Sequence, residues 1–213
     1  MKIGSAEWSE LIVDGAKAFD LDLDRRHTEL FAAHARELLH WNNTINLTTI
    51  TDPFEVAVKH FVDSLAPAKR ISPGASLLDI GSGSGFPGIP LKIVLPSLAV
   101  TLIDASRKRV NFLKHVIRTL KLGGIEAVHI RAEDLADDPA YRKRFDTITS
   151  RALTDLKSFI HQARPLLAVN GRMIALKGKM DQAEAEAVRS SILAVETYML
   201  PFTDSKRSVF LIQ

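Results

Sequence analysis

Hydrophobic positions recur at helical spacing twice before any strand begins. Trp8, Leu11, Ile12, Gly15 and Phe19 share one face within residues 5 to 19, and Leu30, Phe31, His34, Leu38 and Leu39 share one within residues 25 to 40. Two amphipathic helices are therefore predicted first. The polar run from Trp41 to Ile50 breaks this period, and Pro53 opens a further helix reaching about Arg70. After the Pro73-Gly74 turn the pattern changes. Short apolar runs at Leu77 to Ile80, Val100 to Ile103, Ala127 to Ile130, Asp146 to Ser150 and Arg172 to Leu176 predict strands. Helical periods over 87 to 95, 106 to 121, 154 to 167 and 181 to 195 fall between or after them. Such alternation predicts an α/β fold with a parallel, doubly wound, Rossmann-like sheet. Glu196 to Pro201 and Arg207 to Ile212, joined by Phe202 to Lys206, read as a terminal antiparallel hairpin. No repeat, low-complexity segment or linker divides the chain. The expectation is one domain over 1–213, with a helical extension over 1–72 packed on a core over 73–213.

The first of these strands carries the densest chemistry. Ser76-Leu77-Leu78-Asp79-Ile80 runs into Gly81-Ser82-Gly83-Ser84-Gly85-Phe86-Pro87-Gly88, an apolar strand feeding a glycine loop and a proline-opened helix. Glycines accept positive φ and let a ligand lie against bare backbone. Asp79 places a carboxylate near the carboxyl end of the strand, where open α/β sheets bind ligands. Read from Gly83, the loop fits G-x-G-x-x-G, which seats a pyrophosphate on a helix N-terminus. Read from Gly81, it fits acid-x-G-x-G-x-G, the nucleotide loop of S-adenosylmethionine-dependent methyltransferases. The terminal hairpin suits the second register, because the last strand of that sheet is antiparallel. Both registers require a carboxylate for ribose hydroxyls roughly 20 residues on. Asp104 ends the second strand at that distance, and it could equally cap the helix from Ser106. Beyond the third strand, Ile130-Arg131-Ala132-Glu133-Asp134 offers a backbone N–H and a carboxylate to an adenine edge, or a solvated acidic pair.

Composition narrows the chemistry. Of 213 residues, 46% are hydrophobic and none is cysteine. Disulfides, thiolate metal sites and cysteine nucleophiles are excluded, and with them methyltransferases that activate a pyrimidine carbon by cysteine attack. The net charge of +3 favours a polyanionic partner. Basic residues group at Arg107-Lys108-Arg109 with Lys114, at Arg118 with Lys121, at Arg142-Lys143-Arg144 and at Lys206-Arg207. These suit phosphate contacts or a solvated surface, and no aromatic stacking platform is visible beside them. No apolar run is long enough to span a bilayer, and Glu7, Glu10 and Asp14 interrupt any N-terminal signal. A cytoplasmic protein is expected.

Several blocks occur together in order: Trp41-Asn42, Ile45-Asn46-Leu47-Thr48, Lys59-His60-Phe61-Val62-Asp63-Ser64-Leu65, Gly85-Phe86-Pro87-Gly88-Ile89-Pro90-Leu91, Ser150-Arg151-Ala152 and Ala175-Leu176-Lys177-Gly178. In these the chain resembles the bacterial 16S ribosomal RNA guanine-N7 methyltransferases, also called glucose-inhibited division protein B. The resemblance implies S-adenosylmethionine as methyl donor and one guanine of 16S rRNA in the small ribosomal subunit as acceptor. It carries cofactor contacts onto Gly81, Phe86, Asp104, Ala132, Glu133 and Arg151, to which the loop motif adds Asp79, Gly83 and Gly85. No metal, membrane or stable protein partner is implied, and a monomer is expected.

Guanine N7 carries a lone pair and no proton, so its methylation needs positioning and charge stabilisation more than a base. A methyltransferase acting on an exocyclic amine would show Asn/Asp-Pro-Pro-Tyr/Phe after the fourth strand. Asp138-Pro139-Ala140-Tyr141 is imperfect and precedes that strand, so it reads as a loop. Ser150-Arg151-Ala152 stands there instead, and Arg151 could grip a cofactor carboxylate or a substrate phosphate in bidentate fashion, or form a surface ion pair. No residue is assigned to catalysis. Substrate-side candidates are Asn42, Asn46, His60 and Lys177, with Asp63 and Ser64 nearby. Asn42 and Asn46 could meet a base edge or cap a turn, His60 could be a packed side chain, and Lys177 could be a solvated strand end. Two other readings remain at this point: a nicotinamide-dependent oxidoreductase using the Gly83 register, and an RNA-binding protein with a vestigial cofactor fold.

Overall fold

The computed structural model describes residues 1–151, 155–178 and 182–213. Among these, seven strands form one sheet: β1 (Ser76–Ile80), β2 (Ala99–Asp104), β3 (Ile125–His129), β4 (Phe145–Arg151), β5 (Leu167–Lys177), β6 (Ile192–Met199) and β7 (Lys206–Ile212), ordered β3-β2-β1-β4-β5-β7-β6. Strands β1 to β5 pair in parallel, and β7 runs antiparallel to both β5 and β6. The order reverses at β1, so the carboxyl ends of β1, β2 and β4 meet at the switch point where such sheets bind ligands.

Both faces of the sheet are covered, which is why its strands read as nearly continuous apolar runs. Alternate residues enter opposite layers: Leu77, Leu102 and Ile174 join one apolar cluster, while Leu78, Ile103 and Met173 join the other. The first layer holds the N-terminal helices α1 (Ala6–Lys17) and α2 (Arg25–Asn42), together with α5 (Gly88–Val94) and α6 (Arg107–Thr119); the second holds α7 (Ala132–Asp137) and α8 (Leu156–Ala163). Ser5 caps α1 through its side chain, and Asp24 with His27 forms a capping box on α2. Trp8 is fully buried, donates its indole N–H to Pro53 O at 2.9 Å, and meets the Phe61 ring edge-on at 5.9 Å.

The segment predicted as one helix from Pro53 to Arg70 is composite. It comprises α3 (Pro53–Glu55), a π-helical stretch (Val56–Val62) and α4 (Asp63–Leu65), and it stops before Pro67, which cannot donate to a continuing helix; Ala68–Arg70 is a 3₁₀ turn. The wide π turn buries Val56, Ala57, Val58, His60, Phe61 and Val62 together, five of them apolar.

Several boundaries differ from the sequence expectation. The helix expected over 181–195 is α9 (Gln182–Ala187) with a 3₁₀ turn (Arg189–Ser191), because from Ile192 the chain pairs with β7 instead, Ile192 opposite Ile212 and Val195 opposite Phe210. Pairing across the sheet outweighs local helical spacing there. The helix expected from 154 begins at Leu156 with Asp155 as its N-cap and ends ahead of Pro165; residue 154 lies outside the described residues, as do residue 181 and Ala152. Finally, α7 (Ala132–Asp137) fills a stretch after β3 to which the sequence pattern assigns no element, and α2 runs through Asn42.

Candidate active site

The glycine loop leaves β1 with the backbone N–H groups of Gly81 and Ser82 donating to Ile103 O, at 2.9 and 3.0 Å. Gly81, Gly83 and Gly85 have φ of 69°, 58° and 93°. Their roles differ. A Cβ on Gly81 would meet no described atom within 4 Å, and one on Gly83 only Gly81 O at 3.9 Å, so these two present open backbone. A Cβ on Gly85 would stand 2.5 Å from Ile89 Cδ1, and one on Gly88 would stand 2.4 Å from Leu102 Cδ2 and 2.8 Å from Asp79 Oδ2. Those two permit the close approach of α5 to the sheet. Gly85, expected to face a ligand, has in addition a packing reason to be glycine. Gly88→Ala is expected to destabilise the fold by roughly 1–3 kcal/mol through overpacking, measurable as a lower denaturation midpoint with an unchanged slope.

The dinucleotide register fails on the same geometry. It needs N–H groups at the start of α5, but Pro87 has none and Gly88 N donates to Asp79 Oδ2 at 3.0 Å. Asp79 is fully buried, and its Oδ1 has no hydrogen-bond partner among the described residues. Burial raises its carboxyl to a pKa of about 7, against the Gly88 N–H, which favours the ionised form.

Beside this loop, a cleft of about 270 Å³ is lined by Gly81, Asp104, Ala105, Ala132, Glu133 and neighbouring backbone. Asp104 is 5% exposed. It is not the N-cap of α6, which is Ser106: its Oδ1 accepts from Ser106 N at 2.7 Å ahead of that helix, and its Oδ2 accepts from Gly83 N at 3.0 Å. A carboxylate has about four lone-pair sites, so capacity for a ligand remains. Ala132 is buried at the start of α7, and the exposed Glu133 accepts from Gln162 Nε2 at 2.7 Å. Open glycines, a buried carboxylate oxygen without a partner and an acid at the end of β2 together fit a cationic adenosine ligand.

Phe86 leads from the loop into a stack of rings. His34 lies parallel to it at 4.8 Å and His60 at 4.7 Å, while the Arg151 guanidinium sits 4.9 Å from its centroid. His34 Nε2 bonds Ser84 O at 2.9 Å, tying α2 to the glycine loop. Burial lowers the pKa of His34 to about 4; burial, then the Arg151 charge, lowers that of His60 to about 3. Both rings are neutral near pH 7. Arg151, read as a ligand-gripping fork or a surface pair, is neither exposed nor idle: Nη1 donates to Lys59 O at 2.8 Å and Nη2 to His60 Nδ1 at 3.2 Å. It clamps the end of β4 to the π-helical stretch. Because Nδ1 accepts, the proton of His60 sits on Nε2, which faces Thr48 Oγ1 at 3.0 Å.

Next to the stack, a cavity of about 410 Å³ is lined by Lys59, His60, Asp63, Arg151, Lys177, Tyr198 and Arg207 among others. Asp63 Oδ1 accepts from Tyr198 Oη at 2.9 Å and lies 3.4 Å from Arg207 Nε, and Oδ2 lies 3.8 Å from Arg151 Nη1. One carboxylate thus serves two guanidinium groups, an excess of positive charge in a half-enclosed space. Lys177 pairs with Glu184 rather than ending the strand in solvent. Asn42 stands apart from the cavity lining: its Oδ1 accepts from Leu47 N and Thr48 N at 2.8 and 2.9 Å, so it shapes the following loop. Asn46 is exposed on that loop. Sequence reasoning missed Tyr198 and named Arg207 only within a basic cluster; both come from the terminal hairpin and reach the cavity through the pairing of β6 with β7 and of β7 with β5.

A seven-stranded sheet with an antiparallel β7, a cleft at the ends of β1 and β2 and no phosphate seat on α5 is the architecture of a Rossmann-like methyltransferase fold. The fold is similar to that of an S-adenosylmethionine-dependent methyltransferase from Aquifex aeolicus, with a TM-score of 0.57 at 17% identity, covering 76% of this chain and 94% of that one. The chain belongs to the rRNA small subunit methyltransferase G family, whose pattern it matches over residues 27–210. It is 48% identical over 165 residues to the ribosomal RNA small subunit methyltransferase G of Desulfitobacterium hafniense, covering 78% of this chain and 69% of that one. It is 42% identical over 210 residues to that of Geobacter sp. strain M21, covering 95% and 96%.

Proposed function

We propose that this chain transfers the methyl group of S-adenosylmethionine to N7 of a guanine in 16S rRNA of the small ribosomal subunit. Family membership supports the reaction class, and one observation carries the site. The open cradle at Gly81 and Gly83 follows β1, with the Asp104 cleft at the end of β2 on one side and the cationic cavity at the end of β4 on the other. When bound, S-adenosylmethionine supplies an electrophilic methyl group on a positively charged sulfur. Asp104 accepts the ribose hydroxyls, the Ala132–Glu133 corner meets the adenine, and the unpartnered oxygen of Asp79 favours a cationic ligand over a neutral one.

Lys59, Arg151 and Arg207 draw the RNA backbone to the cavity beside Phe86. With that donor held in the cleft, transfer to N7 would exchange the carbon–sulfur bond for a carbon–nitrogen bond and leave the positive charge on the guanine ring, beside Phe86 and Arg151. No proton moves, so no base is needed, and His34 and His60, neutral and already bonded, carry none. The protein's contribution is alignment in a preorganised site. We also propose that residues 1–213 fold as one unit, supported by the continuous apolar cluster that includes Trp8, Phe61, Leu77 and Leu211. No helix among the described residues is long and apolar enough to cross a membrane.

The test incubates the protein with methyl-labelled S-adenosylmethionine and small subunits from cells lacking its gene, then identifies the labelled nucleoside by mass spectrometry. Label in N7-methylguanosine is expected. Label in another nucleoside would overturn the acceptor atom, and no label from protein that binds the cofactor would overturn the substrate.

A further inference from the structure

Apart from the cofactor cleft and the acceptor cavity, a groove of about 750 Å³ runs between α6 and the edge strand β3, lined by Trp41, Asn111, Lys114, His115, Arg118 and residues of β3 among others. We infer that this groove is a second RNA contact, holding the phosphates of a strand that leads from the target nucleotide and stacking one of its bases on Trp41. The inference rests on the proposed function for its choice of polyanion.

Three observations carry it. Arg107, Asn111, Lys114 and Arg118 fall at i, i+4, i+7 and i+11 on α6, all exposed, so they form one stripe about 16 Å long. That stripe costs the free protein stability: Lys114 and Arg118 are like charges one turn apart, and Arg107 stands in the first turn, where the helix dipole disfavours cations. No acidic residue of α6 offsets them. Second, the groove has an aromatic floor. Trp41 is half-buried, 5.2 Å from the His115 ring and 5.7 Å from the Phe112 ring, and Glu37 holds His115 in place at 2.7 Å. Cations beside an exposed ring face are the arrangement that grips single-stranded nucleic acid. The sequence shows no stacking platform because Trp41 and His115, distant in the chain, meet only in the fold. Third, the groove opens toward the cofactor mouth. His129 lines it and bonds through Nε2 to Ala105 O at 3.0 Å, and Ala105 lines the Asp104 cleft. Glu126 also lines the groove, but Thr101 Oγ1 donates to it at 3.3 Å from the sheet.

The test compares wild type with K114E/R118E and with Trp41→Leu, using unmodified small subunits for kinetics and a single-stranded RNA oligonucleotide for binding. For the charge-reversal variant, KM for subunits is expected to rise about tenfold or more, with kcat and cofactor affinity unchanged. The log–log salt slope of oligonucleotide binding is expected to fall by about 1.4, roughly 0.7 for each of two phosphates that are no longer neutralised on a single strand. The oligonucleotide is expected to quench tryptophan fluorescence in wild type and not in Trp41→Leu, which keeps its salt slope. An unchanged KM and salt slope would overturn the inference. A raised KM on subunits with unaltered oligonucleotide binding would also overturn it, by showing that the groove meets a ribosomal protein. If wild type methylates nothing, the proposed function fails, and the binding measurements still decide the groove.

Discussion

Asp104→Ala is expected to lose S-adenosylmethionine affinity by at least about 10²-fold, since each hydrogen bond to a charged acceptor contributes roughly 1.5–3 kcal/mol and two ribose hydroxyls are at stake. The variant alone is not decisive. Asp104 also accepts from Gly83 N and Ser106 N, so its removal could loosen the glycine loop without touching a ligand. A cycle with a 2′-deoxy analogue of S-adenosylhomocysteine separates the two roles. If Asp104 holds the ribose, wild type discriminates against the deoxy analogue and Asp104→Ala does not. Equal discrimination by both proteins, measured by calorimetry, would move the ribose elsewhere and leave Asp104 a loop anchor.

Much of this site is legible in the sequence because its chemistry is local. The glycine loop, Asp79 and the approach to α7 lie at strand ends that periodicity locates, and the Asp104 spacing follows from one βαβ crossover. What stays hidden depends on which neighbours a residue acquires in three dimensions. Gly81 and Gly85 are alike in the motif, yet only packing against Ile89 and Leu113 makes the second a packing glycine. Arg151 reads as functional from its position, but its partners Lys59 and His60 are set by a π-helical stretch that an ordinary helical period does not reveal. Tyr198 and Arg207 enter the cavity from the hairpin, whose register rests on β-pairing between segments far apart in the chain. Helical spacing over 181–195 misleads for the same reason: Ile192 and Val195 gain more from β7 than from a helix.

Asp79 contributes a stability that falls as pH rises from about 4 to about 7. His34 and His60, buried neutral in the fold and charged in the unfolded chain below about pH 6.5, contribute a larger rise, so the net stability of the free protein should rise over that range. The Asp79 pKa is raised in the folded state by burial, so between those limits the native carboxyl keeps a proton that the unfolded chain has released. A proton bound preferentially by the native state makes this contribution decrease with pH, and the decrease ends once Asp79 ionises in the fold. A shift from 3.8 to about 7 corresponds to about 4 kcal/mol. Asp79→Asn cannot ionise, so its stability should rise with pH more steeply than that of wild type, and above pH about 7 the variant should resist urea better than wild type because no buried charge has to form. Cofactor binding should move opposite to the Asp79 contribution. A cation brought near Asp79 favours its carboxylate, so wild-type affinity should rise with pH and level off near pH 7, while Asp79→Asn binds more weakly and without that slope. Denaturant titrations and calorimetry across this range measure both. A stability profile of Asp79→Asn that runs parallel to wild type from about pH 4 to about pH 7 would assign the raised pKa to another group, whereas an altered profile with unchanged cofactor affinity would leave Asp79 a structural acid bonded to Gly88 and out of reach of the ligand.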